Sequence, residues 1–202
     1  DWPDLEERTD LDIYKAAGPT IRYIVFDVTQ TPFDDTLVRQ AIACAIDRRT
    51  ISDTVYLGMF RPLYSMVPDG MFSHIDAFKD KWGERNLTMA TTLLEDAGYS
   101  TTNKLEIDLW CETGLHYGIE ITETAEMLEA QLEETDMIDV TLKYSEWATY
   151  IDDVTSRQHK MHMFLLGWYP DYFDPDDYLS PFVESASDPF MGCWYNSTEM
   201  DG

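Results

Sequence analysis

Basic residues are what this sequence has least of. Fourteen lysines and arginines stand against 39 aspartates and glutamates in 202 residues, for a formal net charge of −25. A chain this anionic repels a phosphate backbone, and no basic patch offsets that, so nucleic acid is excluded as a partner. No apolar run approaches the roughly 18 residues that a membrane-spanning helix needs, and no signal peptide is recognisable. The three cysteines, Cys44, Cys111 and Cys193, have no metal-ligand spacing and predict buried free thiols rather than a disulfide framework. Internal repeats and low-complexity tracts are also missing.

What is present argues for a folded unit. The hydrophobic fraction is 44% and the aromatic fraction 13%, which is too rich for disorder, and 202 residues suffice for one domain with a sizeable core or for two very small ones. The acids are spread along the whole chain instead of forming a tail. That pattern predicts a strongly solvated surface suited to concentrated salt, hence a halophilic origin, with no specific task for most carboxylates.

Taken in order, residues 1–20 read as a polar, extended lead-in. Residues 21–28 (IRYIVFDV) have the β-branched and aromatic composition of a strand, which Thr31-Pro32-Phe33 breaks. Asp34 or Asp35 then caps a helix over 35–47 whose apolar stripe is Leu37, Val38, Ala41, Ile42, Ala45 and Ile46. A short helix follows at 49–56, then an irregular connection over 61–81. A helix over 86–97 ends with Gly98 in the C′ position. From Lys104 the pattern alternates regularly: strand (Leu105, Ile107, Leu109, Cys111), helix over 119–134, strand (Ile138, Val140, Leu142, Tyr144), helix (Trp147, Tyr150, Ile151, Val154), then the apolar strand 161–166. This β-α-β-α-β order predicts an α/β fold with a mainly parallel sheet, right-handed crossovers and helices on both faces. Loops 111–118, 144–147 and 167–175 then leave one edge of the sheet, where ligands bind in open α/β folds.

The loop Gly167–Pro175 (GWYPDYFDP) is the candidate site. It places Asp171 among Trp168, Tyr169 and Tyr172, a carboxylate walled by aromatic rings and suited to a positive ligand group. The competing reading is that Asp171 merely caps the helix beginning near Pro175, a role open to Asp174 as well. His116, in the loop before helix 119–134, is a further candidate for ligand contact, whereas Trp110 and Trp147 read as core. Arg39 reads as half of a structural ion pair. His159 and His162 straddle a helix-to-strand junction and make a poor metal site, so neither a metal nor a cofactor is expected. Asn86-Leu87-Thr88 and Asn196-Ser197-Thr198 fit the glycosylation pattern and are expected in surface loops.

Five segments together resemble a known family: TPFDDTLVRQAIACAIDRRTI (31–51), LLEDAGY (93–99), AEMLEAQLEE followed by a strand and SEWATY (125–150), GWYPDYFDP (167–175) and WYNSTEMDG (194–202). In this order and spacing the chain is similar to the family 5 extracellular solute-binding proteins of ATP-binding-cassette importers, the peptide, dipeptide and nickel class. The resemblance implies lobe II of a periplasmic-binding-protein type II-like fold. Residues 1–20 would lead in from a first lobe, 21–193 form the α/β ligand-binding lobe, and 194–202 begin the return. It also implies a non-enzymatic, monomeric receptor, held outside the cell by a lipid on a cysteine beyond this chain. Such a receptor would close two lobes over a peptide or other small solute and deliver it to a membrane permease. Family members bind a peptide's free amino terminus through the aspartate of a Trp-x-x-Asp segment, which here is Asp171. One departure matters: the arginine that dipeptide-specific relatives carry before helix 119–134 is missing from residues 112–118, which argues against a strict dipeptide ligand and leaves longer peptides open. Asp27 follows Phe26 where many relatives have asparagine, a difference of little weight in the sequence. The same scaffold carrying an oligosaccharide or a nickel complex is the alternative. A glycoside hydrolase using Asp171 and Asp174 is a more distant one.

Overall fold

The computed structural model describes residues 2–14, 16, 18–156, 158–185 and 191–201. The elements in chain order are α1 (Trp2–Glu6), β1 (Ile21–Phe26), α2 (Thr36–Ala45), α3 (Arg48–Thr54), α4 (Ala77–Trp82), α5 (Leu87–Asp96), β2 (Leu105–Glu112), α6 (Glu120–Glu133), β3 (Ile138–Ser145), α7 (Trp147–Val154), β4 (Met163–Trp168) and α8 (Asp176–Val183). The strands form one sheet in the order β1-β4-β2-β3. β2 is parallel to both β3 and β4, while β1 runs antiparallel to β4. The sheet is therefore mainly parallel, as the alternation of patterns predicts.

Each strand carries the pattern its position demands. Leu105, Ile107, Leu109 and Cys111 of β2 are buried, while Glu106 and Asp108 between them are exposed. β4 lies between β1 and β2, is covered on both faces, and reads as an unbroken apolar run, Met163 to Leu166. Chain direction also explains the layers. The chain steps from β2 to β3 in one direction and from β3 back past β2 to β4 in the other. Right-handed crossovers then place α6 and α7 on opposite faces. Ile121, Ala125, Leu128 and Leu132 of α6 pack with α2, α5 and the inward side chains of β2. Tyr150 and Val154 of α7 pack with Val25, Phe164 and Leu166 on the second face.

Helix starts follow their side chains. Asp35, Asp47 and Asn86 cap α2, α3 and α5, accepting from the backbone N–H of Leu37, Thr50 and Met89 at 2.7, 3.0 and 2.9 Å. Asn86 is thus part of a helix cap and not a free loop residue. Arg39 makes no ion pair among the described residues. It donates to the Phe33 carbonyl and to Thr36 Oγ1 instead, which corrects the expected pairing. Cys44 and Cys111 are buried free thiols, and Cys193 is half-buried with its Sγ donating to the Phe182 carbonyl at 3.4 Å.

One buried side-chain polar atom has no partner among the described residues, the hydroxyl of Tyr23. Burial pushes this phenol well above the usual tyrosine range. The ring packs edge-on against Phe182 at 5.3 Å, so its apolar contacts survive removal of the oxygen. Tyr23→Phe is expected to raise stability by about 1 kcal/mol in urea denaturation, because an unsatisfied hydroxyl costs that much or more. A loss of stability would mean that the hydroxyl is satisfied.

Candidate functional site

The parallel strands bring their carboxyl ends to one edge. The register sets Glu112 beside Ser145 and Trp110 beside Phe164, and the antiparallel pairing brings Ile21 of β1 opposite Trp168. Four segments therefore meet at this edge: the start of β1, the loop 113–119, the start of α7 and the loop 169–175.

The loop after β2 is built on one carboxylate. Glu112 is completely buried. Its Oε2 accepts from the backbone N–H of Gly114, Leu115 and His116 at 2.8, 3.0 and 3.4 Å, and its Oε1 from Tyr117 at 2.9 Å. This nest of donors around an anion holds the next two side chains in place. His116 stacks flat on Trp147, with ring centres 3.7 Å apart and planes 5° apart. Tyr117 meets Trp147 edge-on and donates its hydroxyl to the Gly167 carbonyl at 3.2 Å.

The loop after β4 is built on another. Asp177, in the first turn of α8, is buried, and its Oδ2 accepts from Trp168 Nε1 at 3.1 Å and from the backbone N–H of Asp171 at 3.0 Å. Trp168 is the last residue of β4, not a loop residue, and its indole packs edge-on against Phe182. Asp174 takes the helix-start position, accepting from the Asp176 N–H at 3.0 Å. That role leaves Asp171 uncommitted: its carboxylate is exposed and makes no hydrogen bond or ion pair among the described residues. Tyr172 and Tyr169 flank it and are exposed. Tyr172 donates to Asp176 at 2.8 Å, and that bond, with the surrounding carboxylates, pushes its phenol up to about 12.

The structure thus brings Asp171, Trp168, Tyr169, Tyr172 and His116 to the same edge of the sheet. It adds three residues that the periodicity does not single out: Glu112, Asp177 and Arg22. Arg22 reaches the edge from the second position of the antiparallel strand β1. Its guanidinium lies 4.4 Å over the Tyr117 ring and donates to the Tyr169 hydroxyl at 3.0 Å. Signals for the first two were visible in part, since Glu112 ends a strand and Asp177 opens a helix. Leu115, Ile119, Tyr169, Tyr172 and Phe173 stand exposed along the edge as an apolar rim. His159 and His162 lie away from it: His159 Nδ1 contacts Asp27 at 2.5 Å, and His162 Nε2 contacts the His159 carbonyl at 2.8 Å. A cavity of about 540 Å³ is lined by Phe33, Asp108, Trp110, Asp139, Lys160 and His162.

Residues 1–190 match the family model described as "Bacterial extracellular solute-binding proteins, family 5 Middle". The chain belongs to this family. One family relative, the di/tripeptide-binding protein 3 of Pseudomonas aeruginosa (strain UCBPP-PA14), is 30% identical over 181 residues, 89% of this chain and 33% of that protein. The dipeptide-binding protein of Pseudoalteromonas sp. SM9913, solved in complex with Met-Leu, matches with a TM-score of 0.80 at 26% identity. That match covers 98% of this chain and 38% of the other. HbpA2 from Haemophilus parasuis has the same fold, with a TM-score of 0.87 at 23% identity over 99% of this chain and 38% of that one. The chain spans about a third of the length of the relatives it matches in sequence. Among the described residues, no helix is long and apolar enough to cross a membrane.

Proposed function

We propose that this chain is the second lobe of an importer receptor that captures peptides, with Asp171 receiving the ligand's amino terminus. The observation that carries the reading is the Asp171 carboxylate itself, left open at the ligand edge while the residue's backbone N–H is anchored on the buried Asp177 carboxylate. An ammonium group supplies the missing partner through charge-assisted hydrogen bonds. Tyr169 and Tyr172 offer ring faces to the same cation, worth roughly 0.5–2 kcal/mol depending on desolvation. Trp168 fixes the loop from beneath, and His116 with Trp147 forms the aromatic wall across the cleft.

The apolar rim supports closure against a first lobe, with the closed state favoured by a ligand that touches both. Family membership supports delivery to a permease, placement outside the cell and a lipid anchor. It also supports a monomeric receptor whose work is binding without bond cleavage. The peptide-binding names of the relatives support the ligand class.

The test is calorimetric titration of the complete receptor with free-amine peptides, their N-acetylated forms and oligosaccharides. Asp171→Asn is expected to weaken free-amine peptides roughly 10- to 100-fold, because hydrogen bonds to charged groups are worth about 1.5–3 kcal/mol. Acetylated peptides should bind weakly to both proteins. Tight sugar binding that ignores the substitution would overturn the peptide reading, and turnover of any ligand would overturn the receptor reading.

A further inference from the structure

Two segments fit the glycosylation acceptor pattern, Asn86-Leu87-Thr88 and Asn196-Ser197-Thr198, and the capture of a ligand uses neither. The pattern places two demands on the folded chain. The asparagine amide must be accessible, and the hydroxyl two residues on must be readable on a stretch of open backbone.

The first segment is wound into a helix. Asn86 is half-buried, and its Oδ1 accepts from the Met89 N–H at 2.9 Å. Its backbone N–H donates to the Cys44 carbonyl at 2.8 Å, and its own carbonyl accepts from Ala90 at 2.9 Å. Leu87 and Thr88 open α5, and Leu87 packs against the core. Presenting this segment to an enzyme means unwinding the first turn and giving up the cap.

The second segment is already open. Residues 193–197 belong to no helix or strand, and Asn196 and Thr198 are both exposed. Neither side chain makes a hydrogen bond among the described residues. The loop is nonetheless held at both ends. Before it, Trp194 is buried against His159, and the Cys193 carbonyl accepts from the Val28 N–H at 3.0 Å. After it, the Ser197 carbonyl accepts from the N–H groups of Met200 and Asp201 at 3.0 and 3.1 Å, and Asp201 Oδ1 accepts from the Ser185 N–H at 2.8 Å. The place also suits a bulky addition. Val28 lies beyond Phe26, which pairs with the first residue of β4, whereas Ile21 pairs with Trp168 at the ligand edge. At the usual rise of a strand, roughly 20 Å separates this anchor from that edge, so a group attached here leaves the ligand loops clear.

We propose that Asn196 is a site of N-glycosylation and that Asn86, despite the same pattern, is not. The donor is an oligosaccharide carried on a lipid phosphate. Asn196 Nδ2 bonds to the anomeric carbon of the first sugar, and the bond from that carbon to the phosphate oxygen breaks. Its electron pair leaves on the lipid phosphate, and one Nδ2 proton passes to a base of the transferase. The Thr198 hydroxyl is the group by which the transferase recognises the segment. This assignment rests on the placement of the receptor outside the cell proposed above, since the acceptor pattern is read on exported chains.

The experiment takes the complete receptor from the cells that make it and maps the masses of its chymotryptic peptides. Cell fractionation on the same cultures reports whether the receptor lies outside the cytoplasmic membrane. The peptide with Asn196 is expected to carry the added mass of sugar residues, and the peptide with Asn86 none. Thr198→Val keeps Asn196 and should lose the added mass completely, with circular dichroism reporting folding. Thr198→Ser keeps the hydroxyl and should retain the sugar, and Thr88→Val should change nothing. Three results overturn the proposal: a bare Asn196 in receptor found outside, sugar that persists in Thr198→Val, or sugar on Asn86. A receptor retained inside the cell overturns the proposed placement, and the assignment of Asn196 falls with it.

Discussion

Replacing Glu112 by alanine is expected to release the whole loop 113–118 and cost about 3 kcal/mol of stability. Four backbone N–H groups converge on this one buried carboxylate. Hydrogen bonds to charged groups are worth about 1.5–3 kcal/mol each, but they share one anchor and water reaches part of the loop, so their sum is not recovered. The functional cost is larger than the stability suggests. Without the nest, His116 leaves its stack on Trp147, and Tyr117 loses both its bond to Gly167 and its place beneath Arg22. If the proposed peptide site is correct, peptide affinity of the complete receptor is therefore expected to fall roughly 100-fold, about 2.7 kcal/mol, through lost positioning rather than lost contact. Amide hydrogen exchange separates this from global unfolding. The amides of 114–117 should exchange freely in Glu112→Ala, while those of α6 around Leu128 and Leu132 stay protected. Unchanged protection of the loop amides would show that something else holds it.

The fold was legible wherever one side chain pattern has one structural solution. Alternation in β2 and β3, the continuous apolar run of β4 and the stripes of α2, α5 and α6 each allow a single placement, and the crossover rule then fixes the layers. The element boundaries were less so. Gly167 and Trp168 belong to β4, because the antiparallel partners Arg22 and Ile21 continue the ladder past the glycine. α4 sits in a stretch that read as irregular, being only six residues long and having no buried residue. For the site, sequence marks the residues that a loop displays and hides those that hold the loop. Asp171 and its aromatic neighbours stand out by composition. Glu112 and Asp177 do not, because in a chain so rich in acids a buried carboxylate and a solvated one look alike. Arg22 was hidden differently: antiparallel pairing carries the start of β1 to the carboxyl edge, and no periodicity in its own strand reveals that partner.

Asp27 is the clearest case of a residue whose weight appears only in three dimensions, and removing its partner should have the second large effect. The asparagine that the family resemblance leads one to expect after Phe26 is here an aspartate with no exposure at all. Its Oδ1 accepts from the backbone N–H and the hydroxyl of Thr29 at 3.0 and 2.7 Å, and its Oδ2 lies 2.5 Å from His159 Nδ1. A carboxylate only accepts, so the histidine donates. His159 also packs against Trp194, with ring centres 4.5 Å apart, and the Val28 N–H donates to the Cys193 carbonyl at 3.0 Å. The pair thus joins the end of β1, the approach to β4 and the segment around 193–194. His159→Ala leaves one carboxylate oxygen buried without a partner, and that is expected to cost about 3–5 kcal/mol. Packing on Trp194 is lost as well, so the single variant alone does not separate the two effects. A double-mutant cycle does. In an Asp27→Asn background the amide keeps an oxygen for Thr29 and carries no charge to strand, so the same His159→Ala change should cost only about 1 kcal/mol. Equal costs of His159→Ala in both backgrounds, read by chemical denaturation, would assign the whole effect to Trp194 and remove the Asp27–His159 hydrogen bond from the account of how this edge is held.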